Sequence, residues 1–285
     1  MGCCAVGNDC EKDPVRLEAA STVGACKVNR ETVLSEQLNG VALLTLNRPD
    51  KRNAFNDQQY DDLRDALADA EADDTIKVAV ITGAPGAFSA GQDLDEMGAP
   101  RAHDDGEPHG FGPFVDRLST FQKPLLAAVN GVGVGIGLTM LLHCDIVYMA
   151  QSARIRAPFV SLGLVPEAGS SLLLQVIVGP QVAAELLYTN AWINAVRAVD
   201  LGLAADAFDD DELLERTLEK ASEIAQQPLA ALRRTKQLLL DARSEALAVA
   251  RSREETAMAQ SAGTPANVEA IRAFREKRAP DFTGL

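Results

Sequence analysis

Three runs of the chain are apolar on consecutive rather than alternate positions: Val78-Ala-Val-Ile81, Pro124-Leu-Leu-Ala-Ala-Val129 and Asp145-Ile-Val-Tyr-Met-Ala150. A strand with one wet face alternates. A strand covered on both faces need not, and such strands belong to parallel sheets sandwiched by helices. The first run enters the breaker-rich turn Thr82-Gly-Ala-Pro-Gly86, and the second stops at Asn130-Gly131. An earlier strand, Val41–Leu46, is stopped by Asn47-Arg-Pro-Asp50 and followed by a helix capped near Asn56 or Asp57, with Tyr60, Leu63, Leu67 and Ala70 on one face. Strands and helices in alternation predict an α/β core.

From Asp209 the character changes. Asp209-Asp-Asp-Glu212 places negative charge at a helix start, where the dipole favours it. Pro228 opens another helix, and Thr264-Pro265 reads as an N-cap with proline at the first helical position. The expected organisation is a flexible N-terminal extension over 1–30, a core over 31–208, and a helical region over 209–285. That last region is either a separate layer or a small oligomerisation domain. Residues Gly98–Pro113 form a polar loop rich in breakers.

A formal net charge of −14 argues against nucleic acid or an anionic membrane as the main partner, though a polyanionic ligand needs only a local positive site. The longest apolar run, around Val129–Leu142, is studded with glycines and ends at His143, so no membrane-spanning helix is expected. The cysteines are Cys3, Cys4, Cys10, Cys26 and Cys144. An odd number without a secretory leader predicts reduced thiols and a cytoplasmic location. Cys3, Cys4 and Cys10 lack paired metal-ligand spacing. The Met-Gly-Cys-Cys start does not complete a myristoylation pattern, because position 6 is Val6. His103 and His109, with Asp104, Asp105 and Glu107, read as solvated loop residues rather than a metal site. His143 reads as a core histidine, and Arg233, Arg234 and Lys236 as a solvated helix face.

Two segments are built for chemistry. In Gly86-Ala-Phe-Ser-Ala-Gly-Gln-Asp-Leu94 a strand ends in small residues that leave backbone N–H groups exposed. In Asn130–Asp145 the glycines at 131, 133, 135 and 137 let the backbone approach a ligand before a helix begins. Two N–H groups converging on one point make an oxyanion hole. Tight strand–helix packing explains the same glycines equally well. A third stretch, Ala157–Ser171, sets one acid, Glu167, among apolar and small neighbours, where a carboxylate loses hydration. It reads either as a first-turn acid of the next helix or as a tuned base.

Asn47-Arg-Pro-Asp-Lys-Arg-Asn-Ala-Phe-Asn56, Phe88-Ser-Ala-Gly-Gln-Asp-Leu94, Asn130-Gly131 with its glycine-rich continuation, and Cys144-Asp145 occur in that order. Together they resemble the crotonase family, the enoyl-CoA hydratases and isomerases, from about Val41 to the C-terminus. The resemblance implies a ββα spiral core with a C-terminal helical oligomerisation region, and trimers or dimers of trimers. It implies an oxyanion hole from the N–H groups of Ala90 and Ile136, the latter standing where many members have glycine. Lys51 and Arg52, Phe274 and Lys277 are expected to contact CoA, and Ala54, Asp93, Leu94 and Gly135 to line the same substrate site. No metal and no cofactor beyond the CoA of an acyl-CoA substrate is implied.

The family's hydratases use two glutamates, and this chain has Thr139 and Phe159 at the matching positions. Glu167 instead resembles the single glutamate of the Δ3,Δ2-enoyl-CoA isomerase branch, which acts in fatty-acid degradation. That chemistry needs one base. The alternatives are a hydratase or other CoA-thioester lyase, and a catalytically inactive acyl-CoA-binding homologue.

Overall fold

The computed structural model describes residues 30–95 and 108–285. The cysteines of the N-terminal extension, most of the polar loop, and His103, Asp104, Asp105 and Glu107 lie outside the described residues.

The first strands, β1 (Val33–Leu38) and β2 (Val41–Leu46), form an antiparallel hairpin. Helix α1 (Asp57–Ala72) starts where Asn56 Oδ1 accepts the Gln59 N–H at 3.0 Å, and it buries Tyr60, Leu63, Leu67 and Ala70. Its end is fixed by a fully buried lysine. Lys123 Nζ donates to the carbonyls of Ala70, Asp73 and Ile76, each at 2.7 Å, filling acceptors that a helix terminus leaves open. Burial lowers the pKa of that ammonium.

Strands β3 (Val78–Gly83), β4 (Leu125–Val129), β6 (Ile146–Ala150) and β9 (Asp206–Phe208) extend the hairpin into one sheet, ordered β1-β2-β3-β4-β6-β9 and parallel beyond the first pair. Every residue of β3 and β4 is buried, as their unalternated sequences require. A second small sheet holds β5 (Val132–Val134), β7 (Arg154–Arg156) and β8 (Ile193–Asn194). The chain therefore repeats one move. A long strand in the large sheet leads to a short one in the small sheet and then to a helix: β4, β5, α3 (Ile136–Thr139), then β6, β7, α4 (Ser170–Val178). After β3, Ser89 makes the corresponding step as a single parallel bridge to Gly133.

Helix α2 (Phe111–Thr120) packs on α1, inside the stretch expected to start as loop. Its Phe114 lies 5.9 Å and 5.5 Å, ring to ring, from Phe55 and Tyr60. Helices α5 (Pro180–Thr189) and α6 (Ala195–Asp200) follow α4. The helical region then supplies α7 (Leu213–Ala225), α8 (Leu229–Asp241), α9 (Ser244–Ser261) and α10 (Pro265–Arg275). Helix α7 lies directly on β2, β3, β4, β6 and β9, so the region beginning at 209 contributes a layer of the core itself.

Lys236 corrects the reading of a solvated basic face. It is 3% exposed, and its Nζ contacts both oxygens of Asp145 at 2.7 Å. Asp145 Oδ2 also accepts the Leu125 N–H at 2.8 Å, tying α8 to the start of β4. Sequence alone shows a Lys among Arg neighbours; the pairing partner is 91 positions away.

Candidate active site

The site begins with how two loops are pinned together. Asn53 is fully buried, and its Nδ2 donates to Ala84 O and Ala87 O at 3.2 and 2.8 Å. Ser89 Oγ donates to Asn53 O at 2.8 Å. The turn carrying Lys51 and Arg52 is thereby fastened to the segment after β3. That segment pairs with β5, through Ser89 N to Val132 O and Val134 N to Ser89 O, both 2.9 Å.

The amide inventory of these loops settles which N–H groups are free. The Ala90 N–H donates to Arg52 O at 2.9 Å, so the expectation that it forms part of an oxyanion hole is corrected: it is already spent on the turn. Ser89 and Asp93 also donate to main-chain carbonyls, and Gly91 donates to Ser89 Oγ at 3.2 Å. Of the amides from Ser89 to Asp93, that of Gln92 is the one with no acceptor among the described residues. Across from it, the amides of Gly135, Leu138 and Thr139 are engaged, while those of Ile136 and Gly137, at the start of α3, have no acceptor among the described residues.

The free amides of Gln92 and Ile136 each follow a glycine of positive φ: Gly91 at φ 94° before Gln92, and Gly135 at φ 55° before Ile136. That conformation turns the next N–H out of the ladder, and glycine adopts it without strain. A Cβ on Gly91 would also lie 2.8 Å from Val134 O. The Gln92 side chain is drawn aside by Tyr60, whose hydroxyl donates to Oε1 at 2.8 Å. The Ile136 side chain finds its room in the core, 1% exposed. The resemblance, carried onto Ala90, points two positions early; the residue after Gly91 is Gln92.

Glu167 sits on the loop before α4 and is partly buried. Desolvation, with the charge of Glu254 beside it, raises its carboxyl to about 8. Its loop is fastened to the segment that carries the Ile136 amide. A short 3-10 turn, Met140–His143, continues α3, and His143 Nε2 donates to Ala168 O at 2.8 Å. The run from Ile136 to His143 spans only about 12 Å at helical rises. His143 is a core residue as expected, 1% exposed, with burial lowering its pKa to about 4. Thr139 and Phe159 are both buried, at 0% and 5% exposure, and bring no carboxyl to this region.

The remaining candidates cluster around the first turn. Lys51 Nζ lies 3.4 Å from Asp95, and Arg52 is exposed in left-handed backbone at φ 52°. Ala54 is buried, its carbonyl accepting from Arg48 at 2.6 Å. Asp93 is buried and paired with Arg48 at 3.1 Å, which makes it a strut of the loop. Leu94 O accepts from Arg275 Nη2 at 2.9 Å, a contact the sequence did not disclose. It draws the end of α10 to this turn, and Phe274 and Lys277, within two residues of Arg275 in sequence, are exposed. A Cβ on Gly135 would meet nothing within 4 Å, so that edge is open. His109 is paired with Asp61 at 2.6 Å. No group of three or more metal-ligating side chains occurs among the described residues.

A parallel sheet whose strands step repeatedly into a second small sheet, leaving main-chain amides unpaired at the junction, defines a crotonase-fold protein. The model of the enoyl-CoA hydratase/isomerase family matches residues 36–285, and the chain belongs to that family. It is 38% identical over 257 residues to 2,3-dehydroadipyl-CoA hydratase of Escherichia coli, covering 89% of this chain and 99% of the relative. It is 35% identical to 1,2-epoxyphenylacetyl-CoA isomerase of the same organism, with the same coverage. Among solved structures, an enoyl-CoA hydratase/isomerase from Pseudoalteromonas atlantica superposes with a TM-score of 0.84 at 37% identity, covering 89% of this chain and all of the other.

Proposed function

We propose that the chain shifts the double bond of a 3-enoyl-CoA thioester into conjugation, giving the 2-enoyl-CoA. The N–H groups of Gln92 and Ile136 receive the thioester oxygen. Glu167 removes a proton from C2, the electron pair moves into an enolate held by the two amides, and the same carboxyl returns the proton at C4. Each well-placed donor stabilises such an oxyanion by about 3–4 kcal/mol. A carboxyl near 8 is a strong base for its type, and its surroundings limit competition from water.

The observation that carries this reading is the desolvated Glu167 carboxyl, on a loop fastened to the segment that bears a free amide. The two similar E. coli proteins are both named for CoA thioesters, which supports the substrate class. Lys51, Arg52 and Lys277 supply positive charge for CoA phosphates, and Phe274 a flat apolar face for its adenine. The reaction as written consumes no metal or redox equivalent. A water-soluble thioester suits a cytoplasmic enzyme, and exposed Val176, Tyr188 and Val196 suit contacts between subunits of a trimer or hexamer.

Hydration is the second reading, favoured by the hydratase name of the relative at 38% identity. It requires one group to activate water and another to deliver a proton. Supplying 3-enoyl-CoA and 2-enoyl-CoA separately distinguishes the two. Migration predicts that conjugated absorbance appears from the first and persists in the second; loss of absorbance from 2-enoyl-CoA establishes hydration.

A further inference from the structure

Glu254 lies on α9, 87 positions after Glu167, and it is buried at 7% exposure. Its two carboxylate oxygens are both occupied. Oε2 accepts the Gly169 N–H at 2.6 Å, and Oε1 accepts the Ser171 N–H at 2.7 Å. These donors belong to the first turn of α4, where backbone N–H groups have no internal partner and negative charge is favoured. The residues between Glu167 and that turn are unusual. Ala168 and Gly169 are both left-handed, at φ 57° and 76°, and alanine does not adopt this backbone without strain.

Two contacts from different elements hold the strained turn. His143 grips Ala168 O from the core side, and Glu254 grips the Gly169 and Ser171 amides from the helical region. Leu247 of α9 closes over it, its Cδ1 only 2.2 Å from where a Cβ on Gly169 would stand.

We infer that Glu254 is the positioning residue of the proposed base: it locks the left-handed turn that presents Glu167. This rests on the proposed role of Glu167. Each Glu254 oxygen is taken up by an amide of the α4 turn, so its role runs through the turn that carries Glu167. The other charged groups around the turn are partnered elsewhere. Arg251 of α9 pairs with Asp116, Lys236 of α8 with Asp145, and Arg243 reaches toward Leu142 O. His143 stays neutral near pH 7, since burial holds it to about 4. Glu254 is thus the neighbour whose negative charge opposes ionisation of Glu167.

Glu254→Gln keeps the shape and removes the charge. With 3-enoyl-CoA, the midpoint of the rise of kcat/KM with pH should fall by about one unit or more, kcat should drop at least about tenfold, and KM should move less than about twofold. An unmoved midpoint, or an unchanged kcat, overturns the inference. A second readout needs no turnover. The stability difference between the wild type and Glu167→Gln, followed across pH, reports titration of Glu167. Its midpoint should fall in the Glu254→Gln background and stay put if Glu254 is only a helix cap. Should that variant not fold, Glu254→Asp keeps the charge while drawing the clamp back. It should retain a high midpoint with reduced kcat, and wild-type kcat there overturns the positioning role. A wild type inactive on 3-enoyl-CoA would count against the proposed reaction alone, because the stability readout still tests Glu254.

Discussion

At the scale of single residues, the site depends on backbone more than on side chains. Gly91 and Gly135 are equivalent in role, each turning the next amide out of the ladder, but their surroundings differ. A Cβ at Gly91 collides with Val134 O at 2.8 Å, whereas one at Gly135 meets nothing within 4 Å. Gly91→Ala is therefore expected to displace the Gln92 N–H and lower kcat by about 10²–10³, the cost of losing one oxyanion donor. Gly135→Ala should cost far less. Steady-state kinetics on both variants checks the contrast, and equal losses would show that left-handed backbone rather than the collision governs the site. The residues that sequence inspection located well were those whose chemistry is local, such as the lone acid in an apolar stretch. Gln92 is not legible there, because neither the small-residue loop nor the resemblance that names Ala90 says which amide the turn at Arg52 consumes.

At the scale of elements, the strands with consecutive apolar residues were legible because burial on both faces leaves a mark that needs no partner to read. Helix α1 and the capped start of α10 were legible for the same reason: Asn56 and Thr264 bond within three residues of themselves. What escaped was the pairing of distant elements. The strand Val33–Leu38 falls within the expected core but is not read as a strand from sequence, since most of its residues are only partly buried and gain their meaning from pairing with β2. Lys236 looked solvated because its partner, Asp145, is on another element. Replacing it, as Lys236→Met, removes the partner of a carboxylate whose side chain is 22% exposed and should destabilise the fold by about 1–3 kcal/mol in urea titration. A change below about 0.5 kcal/mol would show the pair to be ornamental to stability. Arg275→Ala should release α10 from Leu94 and raise KM for acyl-CoA severalfold with kcat nearly unchanged.

At the scale of the whole molecule, two desolvated titratable groups set opposing pH dependences. Folded Glu167 holds its proton up to about 8, whereas the unfolded carboxyl releases it near 4.5, so this group withdraws stability as pH rises between those values. Folded His143 takes a proton only near 4, against 6.5 when unfolded, so it withdraws stability as pH falls between those values. Their contributions offset below about 6.5, and above it the loss due to Glu167 stands alone. Thermal unfolding should accordingly show the wild type losing stability from pH 6.5 to 8.5, and Glu167→Gln losing less. The helical region is bound into this account, since α7 completes the core layer and α9 supplies Glu254.

Double-bond migration by one carboxyl is the central claim, and Glu167→Gln tests it most directly. The variant should bind acyl-CoA as the wild type does while producing no conjugated thioester from 3-enoyl-CoA. Conjugated product formed by the variant at near wild-type rate would contradict the claim.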